Sequence, residues 1–269
     1  MKKIPWLITI IAIITTIFVV YGAQSGRFFV NTKFSSNSQE NSQEDSSLFV
    51  EAIHQTDNFY DIQVEYPQFN NTGENFNKKI SDLITEKIET FKKESKDNYE
   101  ARRTTAPTEE PLPENPLSPF DFICEWEPVQ INDDYLSFVI RIYYFVGGAH
   151  GANEIYAFNY DLKNKKEITI IDFVNSSQQL FEKIAELSKE NITSQLEGNG
   201  TVVDDFLKQM VEEGTKATQN NYKNFNFNYN SLIIYFQQYQ VAPGVQGPMI
   251  VTLYKNTLDT NSIKSNYIK

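Results

Sequence analysis

The sequence has little of the two residue types that most often mark metal and redox sites. Its 269 residues include one cysteine, Cys124, and two histidines, His54 and His150. A single cysteine cannot form an intramolecular disulfide, and the histidines are too far apart for two ligands on one helix. We therefore expect neither a disulfide framework nor a histidine-based metal site, and we interpret Cys124 as a buried apolar residue.

Nucleotide and nucleophile signatures are also missing, and basic charge is scarce. The chain has no phosphate-cradling glycine loop, no G-x-S-x-G elbow and no S-x-x-K pair, so no cofactor is predicted. Lys and Arg number 24 against 35 Asp and Glu, which makes the formal net charge −11. Because a phosphate-binding face needs a basic surplus, nucleic acid is excluded as a partner.

One long hydrophobic run lies near the N-terminus. Residues 4–21 contain no charge and follow Lys2 and Lys3, and roughly 20 apolar residues suffice to cross a bilayer. The two lysines favour a cytoplasmic N-terminus. This predicts a cytoplasmic tip at residues 1–3 and a transmembrane signal-anchor at residues 4–22, with the remainder extracytoplasmic. The alternative is a cleaved signal peptide, which would leave a secreted protein.

Residues 23–47 are predicted to form a flexible stalk. Residues 35–47 consist of Ser, Asn, Gln, Glu and Asp alone, and such a segment cannot offset the entropy of its own ordering. A short tail that follows a signal sequence is the other interpretation.

The folded part alternates between two hydrophobic periods. Strand-like alternation occurs at residues 59–66, and apolar residues three and four apart predict a helix from Glu74 to Phe91. Similar patterns predict strands at residues 135–145, 155–162, 168–170, 225–228, 232–239 and 248–254, and helices that begin near Ser176 and at residues 202–216. This order favours an α+β fold of mostly antiparallel sheets with packed helices, preceded by the transmembrane helix.

Five prolines lie between residues 106 and 119, too many for a regular helix or strand. We therefore predict an N-terminal α+β subdomain at residues 48–106, a proline-rich loop at residues 107–119, and a C-terminal α+β subdomain at residues 120–269.

His150 is the one candidate for a catalytic residue, and it is also a candidate for ligand contact. It stands among Gly147, Gly148 and Gly151 at the end of a predicted strand, where functional groups are often displayed. The alternative is structural, because a glycine loop frees backbone groups that an imidazole can satisfy.

Aromatic residues and turns near the C-terminus suggest a contact surface. Tyr235 and Tyr239 precede the turn at Pro243 and Gly244, and exposed tyrosines with such turns can contact a saccharide or a protein. The alternative for these aromatic rings is core packing.

Four segments together resemble a known bacterial module. They are residues 60–67 (YDIQVEYP), 147–151 (GGAHG), 156–173 (YAFNYDLKNKKEITIIDF) and 234–249 (IYFQQYQVAPGVQGPM). In this order they are similar to an extracytoplasmic pair of domains of unknown function, which forms the ectodomain of lysozyme-binding anti-sigma factors and a non-catalytic region of some peptidoglycan deacetylases. The resemblance implies an α+β module that acts by binding, in some members to lysozyme.

Two departures from that family limit what the resemblance implies. Only residues 1–3 precede the apolar run, so no sigma factor is expected as a partner, and the histidines do not support a metal-dependent deacetylase domain. We therefore predict a non-enzymatic binding module anchored at the cell envelope, with a cell-wall glycan or a lysozyme-type, wall-degrading protein as ligand. The alternatives are an envelope hydrolase that uses His150 and a purely structural envelope component.

Overall fold

The computed structural model describes residues 48–105, 112–147 and 150–258, together with Ile263, Tyr267 and the backbone of residues 27–30. The predicted anchor at residues 4–22 and most of the predicted stalk lie outside these residues. Within the described part of the chain, no helix has both the length and the hydrophobicity that a membrane span requires.

Seven strands form the larger sheet, and they lie side by side in chain order. All neighbours are antiparallel except β3 and β4, which are parallel. The strands are β1 (Arg27–Val30), β2 (Leu48–Thr56), β3 (Tyr60–Phe69), β4 (Phe120–Ile131), β5 (Tyr135–Tyr144), β6 (Ala152–Asp161) and β7 (Lys166–Glu167). The sheet includes strands on both sides of the proline-rich segment, and residues 27–30 of the predicted stalk form β1.

Helix α1 (Glu74–Thr105) connects the two parallel strands and covers one face of this sheet. A parallel connection needs such a crossover, and the apolar spacing of the helix supplies a buried stripe, formed by Phe76, Ile80, Ile84, Ile88 and Phe91. The stripe packs against alternate residues of β3 and against the stacked rings of Phe138 and Phe158. The predicted helix is therefore confirmed, and it continues to Thr105.

A second layer covers part of the opposite face. Its three antiparallel strands are β8 (Phe225–Asn228), β9 (Ser231–Phe236) and β10 (Met249–Tyr254), in the order β10-β9-β8. They share a core with α2 (Ile170–Phe173), α3 (Gln178–Gly198) and α4 (Asp205–Thr215). Tyr235 of β9 clusters with Val139 of β5 and Ile155 of β6, so this layer lies over those two strands. The same face of β3 and β4 carries exposed side chains.

The predicted α+β class, with mostly antiparallel pairing, is confirmed, but two local predictions need correction and some strands were not predicted. The strand predicted at residues 168–170 is wrong, because Thr169 and Asp172 form a reciprocal capping box that starts α2. The helix predicted from residue 202 begins at Asp205, since Asp204 caps it by accepting a hydrogen bond from Leu207 N at 2.9 Å. Strands β1, β2, β4 and β7 are absent from the sequence-based predictions.

Cys124 lies inside the core beneath the larger sheet, as predicted. Only 1% of its surface is exposed, and burial raises the pKa of its thiol well above the usual range. The thiol is therefore an inert packing group.

Candidate functional site

Two loops that are distant in sequence meet beside β6. The Gln238 side chain accepts a hydrogen bond from Asn153 N at 3.3 Å and donates one to Gly244 O at 2.8 Å. The Gln237 side chain accepts one from Ile155 N at 3.1 Å and also donates to Ile155 O. The two glutamine amides thus pair with backbone groups of Asn153 and Ile155 that a neighbouring strand would otherwise pair with along this edge of β6. We call the surface formed by Tyr143, residues 150–153 and residues 237–247 the loop corner.

Two exposed tyrosine rings in the loop corner each lie directly against a glycine. A Cβ atom on Gly151 would lie 2.3 Å from Tyr143 Cε2, and one on Gly244 would lie 2.2 Å from Tyr239 Cζ. Tyr143 is 36% exposed and Tyr239 is 59% exposed. Each ring therefore lies close to a glycine on one side and remains accessible to solvent on another.

Helix α4 supports the turn that holds Tyr239. Gln240 Nε2 donates to Gly214 O at 3.1 Å, and a Cβ atom on Gly214 would lie only 2.2 Å from Gln240 O. Tyr239 itself has a φ of 70°, a conformation that non-glycine residues rarely adopt. The turn is therefore held by contacts from outside its own sequence.

We expect Gly214→Ala to lower the free energy of unfolding by about 1–3 kcal/mol through overpacking, although alanine is the better helix former. Urea unfolding followed by circular dichroism measures the change. Gly198→Ala is the matched control, because a Cβ atom there meets nothing within 4 Å. An equal response from both variants would contradict the close approach of α4 to the turn.

The structure brings four of the five predicted ligand residues into this region. His150 is exposed, and its Nδ1 lies 3.0 Å from Gly151 O. Pro243 and Gly244 begin the short 3-10 turn that follows Tyr239. The role of these residues in ligand binding stays a prediction.

Tyr235 has a different environment. Only 3% of its surface is exposed, the Arg141 guanidinium lies 5.6 Å from its ring centroid, and burial raises its pKa to about 12. Its ring therefore packs between the sheets, which corrects its assignment as a ligand-contacting residue in favour of the packing alternative.

Sequence reasoning missed two features of the loop corner. Tyr143 lies within the strand predicted at residues 135–145, and Gln237 and Gln238 lie within the 234–249 segment, but the sequence indicates no role for these three side chains. The available signal was weak: a run of three glutamines interrupted by Tyr239, next to a turn.

A second surface lies on the exposed part of the larger sheet. Asp61 and Asp121 are direct neighbours on β3 and β4, and Glu65 and Glu125 follow the neighbouring pair Val64 and Cys124. We call these four carboxylates and the shallow groove beside them the acidic face. The groove has a volume of about 300 Å³ and is lined by Ala52, Ile53, His54, Gln63, Val64, Glu65, Ile123, Cys124 and Glu125.

The arrangement of charge on the acidic face works against folding. Like charges at neighbouring positions of adjacent strands are destabilising. Partial compensation comes from Arg141, which is opposite Glu125 on β5, and His54 Nε2 lies 3.5 Å from Asp61 Oδ1. The acidic face nevertheless has more negative than positive groups.

A half-buried ionic cluster joins α1 to β6 on the other side of the sheet. Lys87 Nζ lies 2.6 Å from Glu154 Oε2, and Tyr144 Oη donates to Glu154 Oε1 at 3.1 Å. Tyr156 also donates to this carboxylate. Burial alone would raise the pKa of Glu154, but the hydrogen bonds from Lys87 and Tyr156 outweigh it and lower that pKa below its usual value. Burial and the carboxylate raise the pKa of Tyr144 to about 12.

The described residues do not form a recognisable catalytic constellation. No group of three or more His, Cys, Asp and Glu side chains among them is placed to hold a metal ion. Across the same residues, no hydrogen bond or ion pair links His150 to an acidic side chain.

Comparison with known proteins divides the chain into two matched regions. Residues 53–153 match a family model described as Deacetylase PdaC. Residues 172–255 match DUF3298, a family described as of unknown function. The hydrogen bond from Asn153 N to Gln238 therefore links the end of the first matched region to the second, and the loop corner lies at their junction.

A curated relative and two solved structures extend this result. Peptidoglycan-N-acetylmuramic acid deacetylase PdaC of Bacillus subtilis is 23% identical over 270 residues, which cover 99% of this chain and 52% of that protein. The chain thus spans about half the length of this relative. A DUF3298 family member from Bacteroides fragilis has the same fold, with a TM-score of 0.50, 12% identity, and coverage of 82% of this chain and 95% of that chain. A DUF3298 protein from Pseudomonas aeruginosa gives a TM-score of 0.46 at 15% identity, with coverage of 81% and 95%.

The order of the two matches agrees with the motifs in the sequence. The region that matches the PdaC model runs from within β2 to the start of β6, and it precedes the region that matches DUF3298, which contains α3 to β10. Over these two regions the chain is therefore similar to the paired module that its motifs predicted, and over its whole length it is similar to part of a peptidoglycan deacetylase.

Proposed function

We propose that this chain is an extracytoplasmic, non-enzymatic binding module that is anchored at the cell envelope through residues 4–22. Its proposed ligand is a basic, lysozyme-type wall-degrading protein or a cell-wall glycan. The name of the Bacillus subtilis relative refers to peptidoglycan chemistry, which supports a location at the wall. Because this chain spans about half of that relative, the relative's deacetylase activity is not part of the proposal.

The observation behind the protein ligand is the acidic face. Asp61 beside Asp121 and Glu65 near Glu125 place like charges on neighbouring strands, where they cost stability. A surface of this kind attracts basic partners, because clustered charges of one sign steer association and select against partners of the same sign. The net charge of −11 acts in the same direction.

Calorimetric titration tests the proposal. The full chain, held in a zwitterionic detergent without sugar groups, is titrated with a panel of basic lysozyme-type proteins and, separately, with soluble peptidoglycan fragments. Each titration is run at two salt concentrations. We expect saturable binding to at least one class. Binding to a lysozyme should weaken with salt without disappearing, since exposed charges are screened but a shaped interface persists.

A charge-neutralising variant locates the contact. Glu65→Gln combined with Glu125→Gln should weaken lysozyme binding by roughly three- to tenfold, mainly through a slower association rate. The matched control, Glu186→Gln combined with Glu190→Gln on α3, changes the net charge equally on another surface. Equal losses in both variants would contradict a contact at the acidic face. No binding of either ligand class above background would contradict the proposed function itself.

The hydrolase alternative has less support from the geometry. His150 is exposed and its ring contacts its own loop at Gly151 O, whereas a general base needs an orienting partner and a substrate within hydrogen-bond reach. Retained peptidoglycan cleavage by a His150→Ala variant would exclude His150 from any such chemistry.

A further inference from the structure

We infer that the loop corner binds a linear oligosaccharide, with Tyr143 and Tyr239 each supporting one sugar ring through the exposed face of the aromatic ring. This inference rests on the glycan branch of the proposed function. It adds the location, the number of subsites and the side chains that form them. The acidic face takes no part in it.

The first argument is that both rings are exposed and also pack closely against a glycine. Gly151 and Gly244 allow the rings of Tyr143 and Tyr239 to lie against the backbone, at positions where any Cβ atom would clash. An aromatic side chain that has only two χ angles and already packs on one side loses little conformational entropy when a ligand stacks on it. Core packing does not explain the exposure of these rings, which is 36% and 59%.

The second argument is the distance across the sheet between the backbone positions that carry the two tyrosines. Tyr143 is directly opposite Asn153 in the β5–β6 pair, and Asn153 N donates to the side chain of Gln238, which precedes Tyr239. Tyr143 and the Gln238 segment therefore lie on opposite sides of β6. The step from Tyr143 to β6 and the step from β6 to the Gln238 segment each equal about one strand spacing, so the two backbone positions are about 10 Å apart. A ligand that reaches both tyrosines must contain more than one ring.

The third argument is the absence of formal charge in the loops. Residues 151–153 and 237–247 contain no Asp, Glu, Lys or Arg, in a chain whose net charge is −11. The exposed side chain of Asn153 provides a neutral hydrogen-bonding group, and the largely exposed Val245 lies in the facing loop. Apolar ring faces surrounded by neutral amides suit a sugar, which has apolar faces and a rim of hydroxyl groups. They do not favour a highly charged partner.

The position at the junction of the two matched regions agrees with this assignment. Ligand sites occur preferentially where two structural units meet. Here the PdaC-family region ends at residue 153 and the DUF3298 region supplies residues 237–247. Each region contributes one tyrosine, so neither region has both subsites.

Titration with N-acetylglucosamine oligomers tests the inference. The full chain in sugar-free detergent is titrated with the tetramer and with the monomer, and binding is followed by calorimetry and by ligand-observed NMR. We expect saturable binding of the tetramer that is at least tenfold tighter than binding of the monomer. Because the loops are uncharged, tetramer affinity should change less than twofold between the two salt concentrations.

Variants of the two tyrosines separate stacking from folding. Tyr143→Leu and Tyr239→Leu should each weaken tetramer binding by roughly three- to tenfold, as expected for the loss of one aromatic contact. Tyr143→Phe and Tyr239→Phe should retain it, because the ring face is unchanged. Tyr254→Leu is the matched control, since this tyrosine is also 59% exposed but lies at the end of β10. Thermal unfolding of each variant establishes that the protein remains folded.

Several results would overturn the inference. They are no tetramer binding by a folded protein, an equal loss of affinity in Tyr254→Leu, or tighter binding of a proline-rich peptide, the other ligand that aromatic grooves recognise. If a lysozyme still binds in the absence of tetramer binding, the inference fails while the proposed function stands. If neither a lysozyme nor any peptidoglycan fragment binds, both fail.

Discussion

Asn226→Asp is expected to lower the free energy of unfolding at neutral pH by about 3–5 kcal/mol, the range for an uncompensated buried charge. The Asn226 side chain is fully buried in β8. Its Nδ2 donates to Phe138 O at 3.0 Å and to Phe158 O at 3.2 Å, and it also lies 3.1 Å from Ser137 Oγ. A carboxylate would place a charged oxygen against two backbone carbonyl oxygens without any change in side-chain size.

The pH dependence of this variant distinguishes charge from lost packing. A buried aspartate beside carbonyl oxygens has a folded-state pKa above its unfolded value of about 3.9. The protonated form is therefore favoured by the folded state, and the loss of stability should shrink as the pH falls toward the unfolded-state pKa. Asn226→Ala, which lacks the charge, should lower the free energy of unfolding by only about 1–3 kcal/mol. This loss should not shrink at acidic pH.

Urea unfolding monitored by circular dichroism at several pH values provides these free energies. Asn220→Asp introduces the same charge at an exposed position and should alter stability by less than about 0.5 kcal/mol. A pH-independent loss in Asn226→Asp would contradict the buried amide network between the two sheets.

The second large effect is expected when the ionic cluster between α1 and β6 is broken. Glu154→Ala removes the partner of Lys87 and the acceptor of two tyrosine hydroxyl groups. We expect a loss of about 2–3 kcal/mol, less than for a fully buried ion pair. The expected loss is smaller than for a fully buried pair because 23% of each charged side chain is exposed, so water screens the Lys87 charge that is left without its partner.

The pKa of Glu154 determines how this contribution varies with pH. Because that pKa is lower in the folded protein than in the unfolded chain, the carboxylate stabilises the fold above its unfolded-state pKa of about 4.3. The contribution is lost as the pH falls through the folded-state pKa. Unfolding curves of the parent protein and of Glu154→Gln should therefore converge at acidic pH.

Glu186→Ala serves as the control for an exposed ion pair. Glu186 contacts Lys183 at 2.7 Å, and its side chain is 57% exposed. Its removal should cost less than about 1 kcal/mol. Similar losses for Glu154→Ala and Glu186→Ala would contradict a special role for the cluster in holding α1 against β6.

Local patterns in the sequence predict the elements in which buried and exposed side chains follow a regular helix or strand period. The stripe of α1 and the alternation of β3 follow from helix and strand periods, so these elements are predicted without knowledge of their partners. Strand β4 is harder to recognise, because Pro128 and a register shift before Gln130 interrupt its pattern. The capping box that starts α2 is visible as Thr169 and Asp172, but the β-branched residues around it also favour a strand.

The sequence by itself determined the α+β class, the acidic charge, the buried Cys124 and the paired-module motifs, because composition and short periods are local properties of the chain. Only the tertiary structure decided which side chains meet. Asn153 and Gln238 are 85 residues apart, and Asp61 lies opposite Asp121 only through the register of a parallel strand pair. Tyr235 and Tyr239 differ by four positions, yet one is buried and the other exposed. Such contacts depend on the packing of whole layers, which no short window of sequence contains.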